Sequence, residues 1–171
     1  IPIYGNVETF RNADGKDNFI RLNTKTIYGV PYDFPIVGYA GRAVNYLRLF
    51  TAKTDDELDI NIFNNGGYID AVRDKIETET VSKVLYPSDS MQSGKELRLK
   101  QQYFFVSCAV QDIIRRYLEK SNDFKGMPDQ VCIQLNDTHP SLAIPEMMRL
   151  LMESRGMPAP CVSSSPPTLP R

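Results

Sequence analysis

The sequence predicts an α/β chain. Three observations carry this reading. The first fifty residues have the punctuation of strands, residues 67–118 carry helical periodicity in two separate runs, and a short apolar segment near residue 131 leads through a polar turn into a further helix.

The β-type third begins with IPIYGNVETF, turns at the cluster NADGK and continues as FIRLNTKTIYGVPYDFPIVGY. Asp14-Gly15 is a favourable turn dipeptide, and the flanking Val, Ile, Tyr, Thr and Phe suit a pleated surface. AVNYLRLF, residues 43–50, adds one more strand, with Tyr46, Arg48 and Phe50 on one face and Leu47 and Leu49 on the other. Helical character starts with GGYIDAVRDKIETETVSKV. There Ile69, Val72 and Ile76 recur at spacings of three and four among charged residues, a narrow apolar stripe that docks on its own domain or meets another chain. Tyr86-Pro87-Ser88-Asp89-Ser90 must be a loop, because Pro, Ser and Asp cluster there. Ser93 followed three residues later by Glu96 matches a capping box, so a long buried helix is expected from near Gly94 through Leu97, Phe104, Cys108, Ile113 and Tyr117. SNDFKGMPD closes that helix as a second loop. VCIQL, residues 131–135, is an apolar run of the kind a strand buried on both faces needs. LAIPEMMRLLME follows as a helix, with Pro145 tolerable only near its first turn. Five of the 12 prolines fall at 158, 160, 166, 167 and 170, beside Ser163-Ser164-Ser165, so the tail cannot build regular structure.

Composition narrows the function classes. A chain of 171 residues at 42% hydrophobic content can bury a sizeable core. Twenty basic and 21 acidic residues leave a formal charge of -1, which offers neither a nucleic-acid footprint nor a polybasic membrane patch. Apolar runs such as Tyr103 to Val106 fall far short of a bilayer span, and the first residues do not form a signal peptide, so a cytoplasmic location is expected. Cys108, Cys132 and Cys161 are odd in number and widely spaced. That fits neither a disulfide framework nor a CxxC metal site, and buried reduced thiols are the expectation.

The chemistry concentrates in QLNDTHPSLAIPE, which holds the chain's one histidine, His139. Strand carboxyl ends and neighbouring helix amino ends form the ligand crevice of open α/β sheets, and Asn136, Asp137, Thr138 and His139 occupy that position. One carboxylate, one imidazole, an amide and a hydroxyl suit a hydroxyl-rich small molecule, which needs directional hydrogen bonds and little net charge. The alternative is that Asp137 or Thr138 caps the next helix while backbone groups satisfy His139. A metal site through Asp137 and His139 is disfavoured, since no second histidine exists and no cysteine stands at ligand spacing.

Four segments in order, VPYDFPIVGY, FNNGGYIDAV, VLYPSDSMQSGKELRLKQQYFFVSCAVQDIIRRY and QLNDTHPSLAIPEMMRLL, resemble the α-glucan phosphorylases, the glycogen, starch and maltodextrin phosphorylases. The resemblance runs from Ile1 to about Pro158 and rests on long irregular strings. It implies part of a Rossmann-like domain of the GT-B glycosyltransferase type. The activity it implies is phosphorolysis of α-1,4-glucan by inorganic phosphate to α-glucose 1-phosphate, with pyridoxal 5'-phosphate as cofactor and its phosphate as proton shuttle. Asn136, Asp137 and His139 then lie on the family's NDTHP segment at the glucosyl pocket, where His139 is a sugar hydrogen-bonding group and not the general base. Asp89 and Ser90 lie on the family's acidic gate loop. That loop departs from the family pattern, because Ser88 and Ser90 replace the usual asparagines beside the aspartate and Met91 stands where aromatic residues are common; a plain Pro-Ser-Asp turn is the competing reading. Arg115 and Arg116 match a basic pair that contacts effector phosphate in regulated members, although a solvated helix end is the preferred role here. The helix Gly67-Lys83 corresponds to the family's tower helix, which pairs in a homodimer.

The resemblance also sets expectations for what the chain holds. It begins in mid-strand-pattern without a start methionine, as an internal slice of the amino-terminal domain would, so residues 1–158 are expected to form a partial domain. Residues 159–171 look foreign to the family, as a shifted reading frame or a mispredicted gene end would; a genuine short tail stays open. The cofactor lysine and the substrate-phosphate ligands belong to the family's other domain. The chain alone is therefore expected to be inactive and to expose apolar surface. The competing classes are a non-catalytic carbohydrate-binding or dimer-interaction fragment, and a defunct gene product.

Overall fold

The computed structural model describes residues 1–3, 5–11, 13–15, 17–54 and 60–155. The chain is α/β and divides into two compact units, Ile1–Lys100 and Gln101–Arg171. The Pro/Ser-rich tail and Cys161 lie outside the described residues.

The first unit carries the strands. β1 (Pro2–Ile3) pairs antiparallel with β4 (Lys25–Thr26), β2 (Asn6–Arg11) with β3 (Asp17–Leu22), and β5 (Tyr28–Val37) with β6 (Val44–Lys53). The expected turn at Asp14-Gly15 is present, with Gly15 at φ 75°, a conformation that glycine adopts without a Cβ clash. Arg11 and Asp17 face each other at the turn end of that hairpin, 3.1 Å apart. In the longer hairpin Asp33 lies opposite Arg48, whose Nε and Nη2 donate to its two carboxylate oxygens at 2.7 and 2.5 Å. This two-pronged pairing pins the register. Apolar side chains on both faces of the hairpin are exposed, among them Tyr32, Phe34, Ile36, Tyr46, Leu47 and Leu49.

The region after β6 differs from its expected form. α1 (Ile60–Asn64) was not foreseen, and Gly66 at φ 87° breaks the chain before the next helix. That helix does not run from Gly67. A 3-10 turn spans Asp70–Val72, and α2 occupies Arg73–Lys83. The face it buries is also different. Ala71, Thr78 and Val81 are buried, and Ser82 Oγ accepts from the Ala52 amide of β6 at 2.9 Å, whereas Ile69 is 75% and Ile76 51% exposed. Periodicity located a stripe, but helix and sheet dock through the small residues beside it.

α3 (Gln92–Leu118) spans the boundary between the units and starts two residues earlier than the capping-box reading. Ser93 therefore lies inside the helix. Phe104, Cys108 and Tyr117 are buried as expected, together with Gln101, Ser107 and Val110, at the three- and four-residue spacings of one helix face. Burial pushes the Cys108 thiol up to about 12, so it stays protonated at neutral pH. The loop after α3 contains a short helix, α4 (Met127–Gln130).

Residues 131–135 are not a strand. Val131 has extended dihedrals, φ -123° and ψ 122°, but a strand needs a hydrogen-bonded neighbour and none pairs with this segment among the described residues. Nor is it buried on both faces: Val131, Ile133 and Leu135 are half-buried, while Cys132 and Gln134 are exposed, which corrects the expectation of a buried Cys132 thiol. The helix that follows is as expected. A 3-10 turn (His139–Leu142) runs into α5 (Ala143–Arg155), with Pro145 in its first turn.

Candidate functional site

The polar cluster belongs to the second unit and is built by a tight backbone reversal between residue 135 and α5. Asp137 sits at φ 68°, the left-handed region that Asp tolerates better than most side chains. The conformation is held locally. Asp137 Oδ1 accepts from the Thr138 amide and from Thr138 Oγ1, the latter at 3.1 Å. These bonds, followed by the His139 imidazole, keep its carboxyl below the usual carboxylate range. A depressed folded-state value favours the fold above the unfolded value of about 3.9, and this contribution is lost as pH falls through the folded value.

The capping alternative does not describe this geometry. Thr138 occupies the position before the 3-10 turn without a side-chain capping bond, and the Asp137 contacts stay with its immediate neighbour. Pro140 follows His139 where a missing N–H does no harm, and the Ser141 amide donates to the Thr138 carbonyl at 3.1 Å. The turn thus delivers His139 to α3. Its Nδ1 lies 3.3 Å from Gln102 Nε2, and its Nε2 lies 4.0 Å from Asp137 Oδ1. Asn136, Asp137 and Thr138 are exposed beside the half-buried imidazole. The result is a solvent-accessible group of one carboxylate, one imidazole, one amide and one hydroxyl, which together can donate and accept hydrogen bonds.

The same unit holds a network that the sequence did not reveal. Glu146, in the first turn of α5, is 3% exposed. Arg149 donates to it through Nε at 2.7 Å and Nη2 at 2.6 Å, Ser107 of α3 donates through Oγ, and Gln111 Nε2 donates to that Oγ at 2.9 Å. Only the Glu-Arg spacing of three was visible in advance; the link to Ser107 joins residues 39 apart. No group of three or more potential metal ligands occurs among the described residues.

The gate-loop residues belong to the first unit. Asp89 and Ser90 are exposed in the loop between α2 and α3, as expected. Arg98 of α3 holds the loop from below, its Nη1 3.4 Å from Asp89 Oδ2 and its guanidinium 5.5 Å from the centre of the Tyr86 ring. Ser88 and Ser90 hydroxyls bond each other at 2.9 Å. Gly94 lets the loop approach the helix, because a Cβ there would fall 1.8 Å from the Ser88 carbonyl oxygen. At the far end of α3, Arg115 donates to Asp112 at 2.8 Å and pairs with Glu119, while Arg116 is exposed. Arg115 already faces Asp112 of its own helix and Glu119 just beyond its end, which favours the solvated-end role over phosphate binding. No helix of the described residues is long and apolar enough to cross a membrane.

These features can be set beside known proteins. The Carbohydrate phosphorylase family model matches residues 1–160. The chain is 45% identical over 166 residues to the muscle form of human glycogen phosphorylase, covering 92% of this chain and 19% of that protein. It is 46% identical over 162 residues to the rabbit muscle form, covering 90% and 18%, and 48% identical over 140 residues to the bovine brain form, covering 77% and 17%. The chain belongs to the carbohydrate phosphorylase family. It spans about a fifth of the length of the curated relatives it matches.

Proposed function

We propose that residues 1–158 are part of the amino-terminal, Rossmann-like domain of an α-glucan phosphorylase, which cleaves α-1,4-glucan with inorganic phosphate to give α-glucose 1-phosphate. The observation that carries this reading is the Asn136-Asp137-Thr138-His139 turn, an exposed set of hydroxyl-matching groups in a chain of this family. Asp137 accepts from a glucosyl hydroxyl, His139 donates to or accepts from one, and Asn136 offers both. Asp89 and Ser90 form the gate over the substrate path. Pyridoxal 5'-phosphate needs an enclosed amine for its imine. Among the described residues every lysine is exposed or half-buried, and Lys25, Lys53 and Lys83 pair with Asp74 or Glu79. The cofactor lysine is assigned to the part of the enzyme beyond this segment.

Two features of this reading concern assembly. The extended segment 131–135 becomes a core strand when the rest of the domain supplies its neighbours. The exposed Ile69 and Ile76 form the contact of a homodimer, a role supported by α2 docking on its own sheet through other residues.

A chimera tests these points together. Residues 1–155 replace the matching segment of the rabbit muscle form, and glucose 1-phosphate release from maltoheptaose is measured. The 171-residue chain alone is expected to release none, and the chimera to be active. In the chimera Asp137→Asn and His139→Ala each lower kcat/KM about 10- to 100-fold, the range for a lost hydrogen bond to a charged or reacting group. Amides 131–135 gain hydrogen-exchange protection, and Ile76→Glu shifts sedimentation toward monomer. A folded chimera with no phosphorolysis sinks the reading. If the chain alone still binds maltoheptaose, the carbohydrate-binding alternative takes its place.

A further inference from the structure

We infer that Gln102 fixes the tautomer of His139 and thereby makes the site specific for a ligand hydroxyl, a positioning role that rests on the glucan reading above. An amide NH2 only donates, so Gln102 Nε2 at 3.3 Å requires His139 Nδ1 to accept. In the neutral ring the proton then resides on Nε2. The opposite side of the ring agrees independently, because Nε2 lies 4.0 Å from a carboxylate oxygen of Asp137, which only accepts. If the amide were reversed, its oxygen would force the proton onto Nδ1 and turn a bare Nε2 toward that carboxylate, setting one acceptor against another. Both neighbours therefore select the same arrangement.

The consequence is a donor and an acceptor side by side. A hydroxyl oxygen seated about 2.8 Å from each can accept from His139 Nε2–H while it donates to Asp137. A carboxylate ligand is repelled by Asp137, and a carbonyl takes the bond from Nε2 but makes none to Asp137, whose Oδ1 keeps its two bonds from Thr138. A group that both donates and accepts makes a bond to each member of the pair, which is the chemistry of a sugar hydroxyl. Gln102 touches no ligand in this arrangement and acts through the ring.

His139 is the only histidine of the chain, so its ring nitrogens give a single set of signals in long-range 1H–15N spectra of the 171-residue protein. At a pH where its own titration shows the ring neutral, Nδ1 is expected to resonate as a bare nitrogen and Nε2 as a protonated one. Gln102→Glu places an acceptor against Nδ1, and the two signals are expected to exchange character while the backbone amide spectrum stays folded. Gln102→Met keeps the length without the donor, and moves Nδ1 toward the position of an unbonded nitrogen. A protonated Nδ1 in the parent chain, or ring signals that neither variant moves, overturns the inference. In the phosphorolytic chimera Gln102→Glu raises the KM for maltoheptaose about tenfold, the loss of one well-made hydrogen bond. If the tautomer switches and KM does not move, hydroxyl recognition by His139 is wrong while its orientation by Gln102 stands. If the chimera is inactive before any substitution, the glucan reading fails and the ring spectra still decide the tautomer.

Discussion

Glu146→Ala is expected to destabilise the second unit by about 3–5 kcal/mol, the usual consequence of removing one partner from a buried ion pair. The size follows from what the carboxylate holds. It takes both donors of Arg149 and the hydroxyl of Ser107, and it is almost wholly removed from water. Without it the guanidinium, itself only 16% exposed, keeps its charge and loses both of these bonds, and Ser107 retains the bond from Gln111. Position in the helix adds a smaller term, since a carboxylate in the first turn of α5 meets the positive end of the helix dipole. Urea denaturation followed at α-helical ellipticity measures the loss. Glu146→Gln keeps the volume but turns a donor toward Arg149, so it falls between parent and alanine variant. A Glu146→Ala protein within 1 kcal/mol of the parent would falsify the claim that this network ties α5 to α3. Because α5 begins four residues after His139, the site is expected to loosen with it, broadening the His139 ring signals.

What could be read from the sequence follows the range of the forces involved. The strand-forming third was legible because alternation and a turn dipeptide are local: the Asp14-Gly15 turn and the strand character of residues 43–50 need no knowledge of distant residues, whereas the pairing of Tyr28–Val37 with Val44–Lys53 was not read from them. The polar turn was legible for the same reason, since Asp137 and Thr138 satisfy each other. Features that depend on contacts remote in sequence were not. Residues 131–135 have strand composition, yet a strand exists only beside another. Ile69, Val72 and Ile76 share a stripe, but spacing cannot reveal whether that stripe is docked. Gln102 and Glu146 looked like ordinary helix residues, because their partners lie 37 and 39 positions away. The Ser93-Glu96 pair misled for a related reason: a capping spacing recurs inside helices, and the start of α3 is set instead by the loop that packs against Gly94.

That loop contact leads to the second large effect. In the phosphorolytic chimera Gly94→Ala is expected to lower kcat/KM on the order of 100-fold, as a misplacement of about 1 Å near the chemistry can do. The methyl group would meet the Ser88 carbonyl oxygen at 1.8 Å and the Ser88 carbonyl carbon at 3.0 Å, against an ordinary nonbonded separation of about 3.5 Å. Neither atom is the end of a flexible side chain, so the peptide carrying Asp89 must retreat by more than 1 Å. Arg98 then loses the 3.4 Å contact with Asp89, and Tyr86, held at φ 57°, loses its place over the guanidinium. Stability responds far less. Overpacking costs about 1–3 kcal/mol, but alanine in a helix regains about 0.5–1 kcal/mol relative to glycine. A gate role and a plain turn part company at this point. If Asp89 and Ser90 gate the substrate, activity collapses while the melting temperature moves by only a few degrees; if the loop is only a linker, Gly94→Ala changes both slightly. Gly94→Ala retaining full kcat/KM would assign the segment to the linker and leave substrate contact to the Asp137-His139 turn alone.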